Sequence, residues 1–241
     1  MRRPFRILLT LGFGLLAGCM RPPGVNPSLQ PVEAPDRWLK GRAYLKQEQA
    51  GVEVQAAFVE AGPGSLQFDL VVANRGTTTV LVDPERCFCD LTLPADTLAP
   101  REIPAVDPEA RIRAIIQASA AEKASQSDTT AFRGLFLLAD LGDTLSQSTQ
   151  RNPRQQREAQ RGKQDTYRDM DQADRRSGER LTGLAEQRRH WEEDCLRKTT
   201  LEPGYGLRGR VVFHTKTQLA SQVVLRVPVG AGTFRFAFRP L

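Results

Sequence analysis

The chain has 241 residues, with 34 Lys and Arg against 28 Asp and Glu, a formal charge of +6. Three of those cations, and no acid, fall in the first eighteen residues, so the rest carries only +3. That balance excludes a nucleic-acid footprint. Apolar content of 40% supports a core, while no stretch beyond the first nineteen residues is long and uncharged enough to span a membrane.

Arg2, Arg3 and Arg6 precede an apolar run from Ile7 to Leu16, and Ala17 and Gly18 lead into Cys19. A positive start, a short apolar run and small residues are the order of a secretory signal peptide, too short for a transmembrane helix. Leu16-Ala17-Gly18-Cys19 resembles the lipobox of bacterial lipoproteins. The resemblance implies that residues 1–18 are removed, that Cys19 is acylated, and that the chain is held to a lipid bilayer. Export places Cys87, Cys89 and Cys195 in a disulfide-permissive compartment. Residues 19–36 contain five prolines and no periodicity, the composition of an extended tether.

Over 37–106 the period is two. Val52, Val54, Ala56 and Phe58 alternate with other residues, then Leu66, Phe68, Leu70 and Val72, with Val80 and Val82 opening another strand. Alternation predicts half-buried antiparallel strands, about four of them once Trp38 and Tyr44 are included. Residues 107–198 change to helical spacing. Asp107-Pro108-Glu109 is a helix start, with a capping acid, proline at the first helical position and an acid in the first turn. Ile112, Ile115 and Ile116 follow, and Asp128 is expected to cap a second segment carrying Phe132, Leu135 and Leu138. After Asn152-Pro153 a charged helix runs to about Leu196. Its Tyr167, Met170, Leu181, Leu184, Trp191 and Cys195 share a seven-residue stripe, which Asp174, Ser177 and Arg188 interrupt. Over 199–241 the period returns to two, through Val211 and Phe213, Val223 to Val229, and Phe234, Phe236 and Phe238. Three strands added to four give seven, the number of an immunoglobulin-like β-sandwich interrupted by a long helical insertion.

The lipobox, L-Q-F-D-L-V-V-A-N-R-G, V-D-P-E before a helix, and L-R-K-T-T-L-E-P-G-Y-G-L-R-G-R-V-V-F together resemble uncharacterised bacterial envelope lipoproteins. Those are similar to immunoglobulin-like sandwiches split by a helical insertion. The resemblance implies no activity and transfers no functional residue.

Candidate chemistry is sparse. His190 and His214 lie in no nucleophile motif and are expected as surface side chains, so no catalytic residue is assigned and no enzyme is expected. Cys87 and Cys89, two apart on a strand, face one way. Cys195 is expected to form a disulfide with one of them, clamping the base of the insertion. A soft-metal site on the three thiols is the rival. Arg151, Arg154, Arg157, Arg161 and Lys163 oppose only Glu158 and make a candidate surface for an acidic partner. The resulting expectation is a non-enzymatic binding or scaffolding lipoprotein of the cell envelope, without cofactor. Its expected partners are the bilayer and an envelope protein or anionic polymer, not nucleic acid. Met20 after the lipidated cysteine favours the outer membrane, by resemblance to lipoprotein sorting. The alternative is a small-ligand or metal-binding lipoprotein that uses the sandwich end near Cys87 and Cys89.

Overall fold

The computed structural model describes residues 28–62, 64–93, 100–146, 153–215 and 220–241; the signal segment, Cys19 and Arg151 lie outside them. Eight strands come first: β1 (Leu29–Pro31), β2 (Arg37–Leu39), β3 (Arg42–Gln49), β4 (Val52–Gly62), β5 (Ser65–Asn74), β6 (Val80–Val82), β7 (Phe88–Thr92) and β8 (Arg101–Pro104). Two helices follow, α1 (Pro108–Ser146) and α2 (Pro153–Arg189), then β9 (Thr199–Leu201), β10 (Gly206–His214), β11 (Gln222–Val229) and β12 (Gly232–Pro240). The protein is mainly β, with two sheets and a long helical insertion.

The first sheet runs β1-β12-β11. The far side of β11 is shared by β7, which continues to β8, and by β6, which continues to β9. The second sheet runs β10-β5-β4-β3-β2. Strands from before and after the helices are neighbours in both sheets: β10 pairs β5, β11 pairs β7 and β12 pairs β1. More strands occur than the seven that alternation predicts. β1 and β9 lie outside the expected strands and are three residues long, too short to carry a period of two, while the strand expected around Trp38 and Tyr44 is two, β2 and β3.

The core lies between the sheets and is built from the alternating positions. Phe68 of β5 packs against Phe213 of β10 at 6.0 Å between ring centroids, and against Phe238 of β12 at 5.1 Å across the two sheets. Val223, Leu225, Val227, Phe234 and Phe236 complete the first sheet's inner face. A bulge between Phe58 and Glu60 shifts the pairing with β5, so that Ala61 turns inward opposite Leu66.

Three expectations need correction. The tether does not extend to residue 36: Leu29–Pro31 pairs with β12, where Pro31 is tolerated because β1 is an edge strand. Asp128 caps nothing, since α1 is one helix in which Thr129 and Thr130 return their hydroxyls to the Ser125 and Gln126 carbonyls. All three described thiols are free, so the bridge from Cys195 to Cys87 or Cys89 is not formed. Cys87 and Cys89 belong to the intersheet core, whereas Cys195 belongs to a separate apolar cluster beneath the helices.

Candidate functional site

The helical insertion is an antiparallel hairpin whose root is tied to one strand. β10 is the edge of the second sheet, and an open edge offers unpaired amides and carbonyls. Both crossings between sandwich and hairpin cover it. On the way out, Ala105 pairs with Phe213, and the Val106 N–H donates to the Val212 carbonyl at 2.8 Å. On the return, Cys195 pairs alongside Arg210, and the Leu196 N–H donates to the Arg210 carbonyl at 2.8 Å. That return runs so close to β10 that a Cβ on Gly209 would stand 2.6 Å from the Leu196 nitrogen, so only glycine fits.

Above this edge, Ile112, Ile115, Trp191, Cys195 and Val212 form a buried apolar cluster, with Val106 and Leu184 packed against it. Asp107 caps α1 by accepting from the Glu109 N–H at 2.8 Å. Arg197 donates to both Glu109 carboxylate oxygens, at 2.7 and 3.0 Å, joining the first turn of α1 to the returning chain. Those hydrogen bonds hold the Glu109 carboxyl below the usual carboxylate range.

α2 ends in a short π-helical turn, His190–Asp194. His190 Nδ1 lies 2.9 Å from Asp194 Oδ2, and its Nε2 lies 3.8 Å from the Cys195 Sγ. Thiol, imidazole and carboxylate in that order have the connectivity of a nucleophilic triad. Their electrostatics run the other way. Burial pushes the Cys195 thiol up to about 12 and Asp194 adds to it, with Arg210 opposing, whereas attack requires a thiolate. The group as it stands pins the end of α2 to the return strand. His190 is therefore half-buried and engaged, while His214 is exposed.

Beyond the root, the sequence stripe on α2 proves to be its contact with α1. Tyr167 meets Phe136 edge-on at 5.6 Å. Two of the polar positions that break the stripe, Asp174 and Ser177, are matched by polar groups opposite, while Arg188 is exposed and pairs with Glu192 four residues on. Arg133 donates to Asp174 at 3.0 Å and to Asp171 at 3.2 Å; Ser177 bonds Glu122, which also accepts from Arg180 at 2.7 Å. Arg180 and then Ser177 draw the Glu122 carboxyl below its ordinary value. Among the predicted basic residues, Arg154, Arg157 and Arg161 are exposed on α2, while Lys163 is half-buried and does not share their exposure.

One buried polar group went unread in the sequence. On the outer face of the second sheet, Asp69 accepts from Tyr44 Oη at 2.6 Å and from Arg208 Nε at 3.1 Å, with Arg42 at 3.5 Å. Burial pushes the Asp69 carboxyl up, but the bonds from Arg208 and Tyr44 and the charges of Arg208 and Arg42 outweigh it, so it lies below its ordinary value. Asp69 occupies an outward strand position, which reads as solvent; Arg208 stands 139 residues away. The group ties β10, β5 and β3 together, with Asp69 and Tyr44 buried and Arg208 at its exposed rim.

Cys87 and Cys89 are sealed in the sandwich core. Both residues are buried, and burial pushes each thiol up to about 12, with Asp83 adding at Cys87 and Asp90 at Cys89. Among the described residues, no three His, Cys, Asp or Glu side chains converge as metal ligands. A cleft of about 270 Å³ lies where Ser28 enters the sandwich, beside Trp38 and Phe58; its one charged side chain is Arg42, which is turned to Asp69.

The geometry defines a class: two facing antiparallel sheets that carry a rooted helical hairpin. No protein-family model matches the chain, and neither a curated protein nor a solved structure matches it.

Proposed function

We propose that this chain is a lipid-anchored protein of the bacterial cell envelope that uses its sandwich as a platform and its helical arm to bind a partner, without catalysing a reaction. The lipobox resemblance supports acylation of Cys19, and Met20 supports the outer membrane. The immunoglobulin-like reading of the platform is supported by two facing sheets with alternating inward apolar residues and by β10, which crosses from beyond the insertion to join β5.

One observation carries the reading. The arm is fixed at its root, yet beyond it leaves Phe132, Leu135 and Leu138 exposed on α1 and Arg154, Arg157 and Arg161 exposed on α2. Large apolar side chains left outside on one element mark a contact surface. The resting state of Cys195 supports the non-enzymatic part.

Two measurements test it. Cys19→Ala should move the protein out of the membrane fraction, because acyl chains supply the anchoring burial; unchanged fractionation without acyl label on the wild type contradicts the anchor. Crosslinking in intact cells should capture an envelope protein or polymer through α2. Arg157→Glu with Arg161→Glu should weaken that capture most at low salt. Capture untouched by both substitutions moves the partner site off α2.

A further inference from the structure

The two sides of α1 are composed the wrong way round. The side packed against α2 has Ser119, Glu122, Gln126, Thr129 and Arg133 through its middle, all half-buried. The opposite side repeats the same spacing of three and four with Ala121, Ala124, Asp128, Ala131, Leu135 and Leu138, all exposed. Leu135 and Leu138 are 67% and 66% exposed, and Phe132 beside them is 60% exposed. A spacing of three and four keeps residues on one face of a helix and is the seam of a coiled coil. α1 therefore has two seams, and the more apolar one is uncovered.

We propose that this outer seam is covered by the same seam of a second copy of the chain, with the two α1 helices antiparallel. The seam is graded: small residues lie toward the root and large ones toward the tip. In an antiparallel pair, each first-position residue of one helix meets a fourth-position residue of the other. Leu138 then meets Ala121, Leu135 meets Ala124, and Asp128 meets Ala131, each layer occurring twice about the two-fold axis. Large against small in every leucine layer keeps the helices evenly spaced. A parallel pair would instead stack leucine on leucine at the tip, alanine on alanine near the root, and Asp128 on Asp128 in one layer.

The register also fits the length of the arm. The same pairing sets Ser146, the last residue of α1, level with Arg113, next to Ile112 of the root cluster. The arms overlap along their length and the two sandwiches stand at opposite ends, clear of each other. Asp128 is the one charged residue among the six, and such a residue fixes register at some expense of stability. The seam from Ala121 to Leu138 is about 26 Å long. A contact of that size sits at the small end of specific interfaces, so the dimer should dissociate on dilution. The inference goes beyond the binding role above: it gives the apolar face of α1 to a second copy and leaves the exposed arginines of α2 for the partner.

The test uses the purified full chain in detergent, with no other protein present. Sedimentation should show a monomer–dimer equilibrium. Leu135→Gln with Leu138→Gln should weaken it by about a hundredfold or more, since four buried leucines are lost per dimer. At dilution, where both chains are monomeric, helicity by circular dichroism and the urea midpoint should stay unchanged, which separates loss of pairing from loss of folding. Asp128→Ala should tighten the dimer. A short bis-maleimide should join Ala124→Cys chains to differently tagged Leu135→Cys chains and join neither kind to itself; Cys87, Cys89 and Cys195 are buried. A monomer at every concentration overturns the proposal and leaves capture of a partner by α2 untouched. A monomer that binds anionic vesicles through Leu135 and Leu138 overturns it in favour of a bilayer. Crosslinking of Ala124→Cys to itself overturns the antiparallel arrangement.

Discussion

At the root of the arm, Ile112, Ile115 and Trp191 close over Val212 while Glu109 and Arg197 pair at the rim. Further along the same helices polar groups enter the interface: Glu122, Arg133, Ser177 and Asp174 face it beside Met170 and the pair of Phe136 and Tyr167, while Phe132, Leu135 and Leu138 face outward. The root obeys the rule of the sandwich and extends its second sheet by two backbone crossings. The shaft does not. Exposed ion pairs contribute little, and side-chain hydrogen bonds replace bonds to water, so the shaft adds little to the stability of the fold. A region that contributes little to folding and still presents large apolar groups is organised for contact with something else.

Substitutions should separate the two regions, and the largest effect belongs at the root. Trp191→Ala removes the largest side chain of the cluster and should cost about 3–5 kcal/mol in urea unfolding. A cost as small as that of a surface change would mean the root is not part of the folded body. On the platform itself, Asp69→Asn should cost about 2 kcal/mol, allowing for the partial exposure of Arg208. The pH dependence checks that loss. The folded-state value of Asp69 is depressed, so its contribution is present above the unfolded value near 3.8 and fades as pH falls through the folded value. The gap between wild type and Asp69→Asn should therefore begin to narrow as pH falls below about 4 and close only below the depressed folded value. A constant gap down to pH 2 would assign the loss to shape rather than charge.

Gly209→Ala tests the crossing more gently. Its Cβ meets backbone that must shift, for about 1–3 kcal/mol. Smallest of all should be the shaft. Glu122→Gln should leave the urea midpoint where it is. Replacing residues 120–182 with a short Gly/Ser turn should leave a cooperative transition, since the change falls outside both apolar clusters of the sandwich and root. Loss of that transition would show that the shaft is core.

The sequence made the long strands readable, because Leu66 to Val72 and Phe234 to Phe238 alternate cleanly and bury one face. It also marked the start of α1, since Asp107 caps where its side chain and Pro108 predict. Short edge strands such as β1 stayed hidden behind the prolines of the tether. The stripe on α2 was visible, but its partners were not: Asp174 and Ser177 look like faults until Arg133 and Glu122 stand opposite them. Asp69 and Arg208 meet only because β5 and β10 are neighbours, which no local pattern announces. Cys195 was expected in a bridge because its compartment favours one. The return strand instead buries it on the outer side of the second sheet, away from the core that holds Cys87 and Cys89.

Native-state hydrogen exchange tests the division between root and shaft most directly, because it reports an opening energy for each amide. The Leu196 and Val106 amides, which cover the edge of β10, should exchange only with global unfolding, together with those of β5 and β11. Amides of α1 between Ala120 and Leu138 should exchange through a separate opening of lower energy in the dilute protein. A single opening energy shared by the shaft, the root and the sandwich strands would contradict the account.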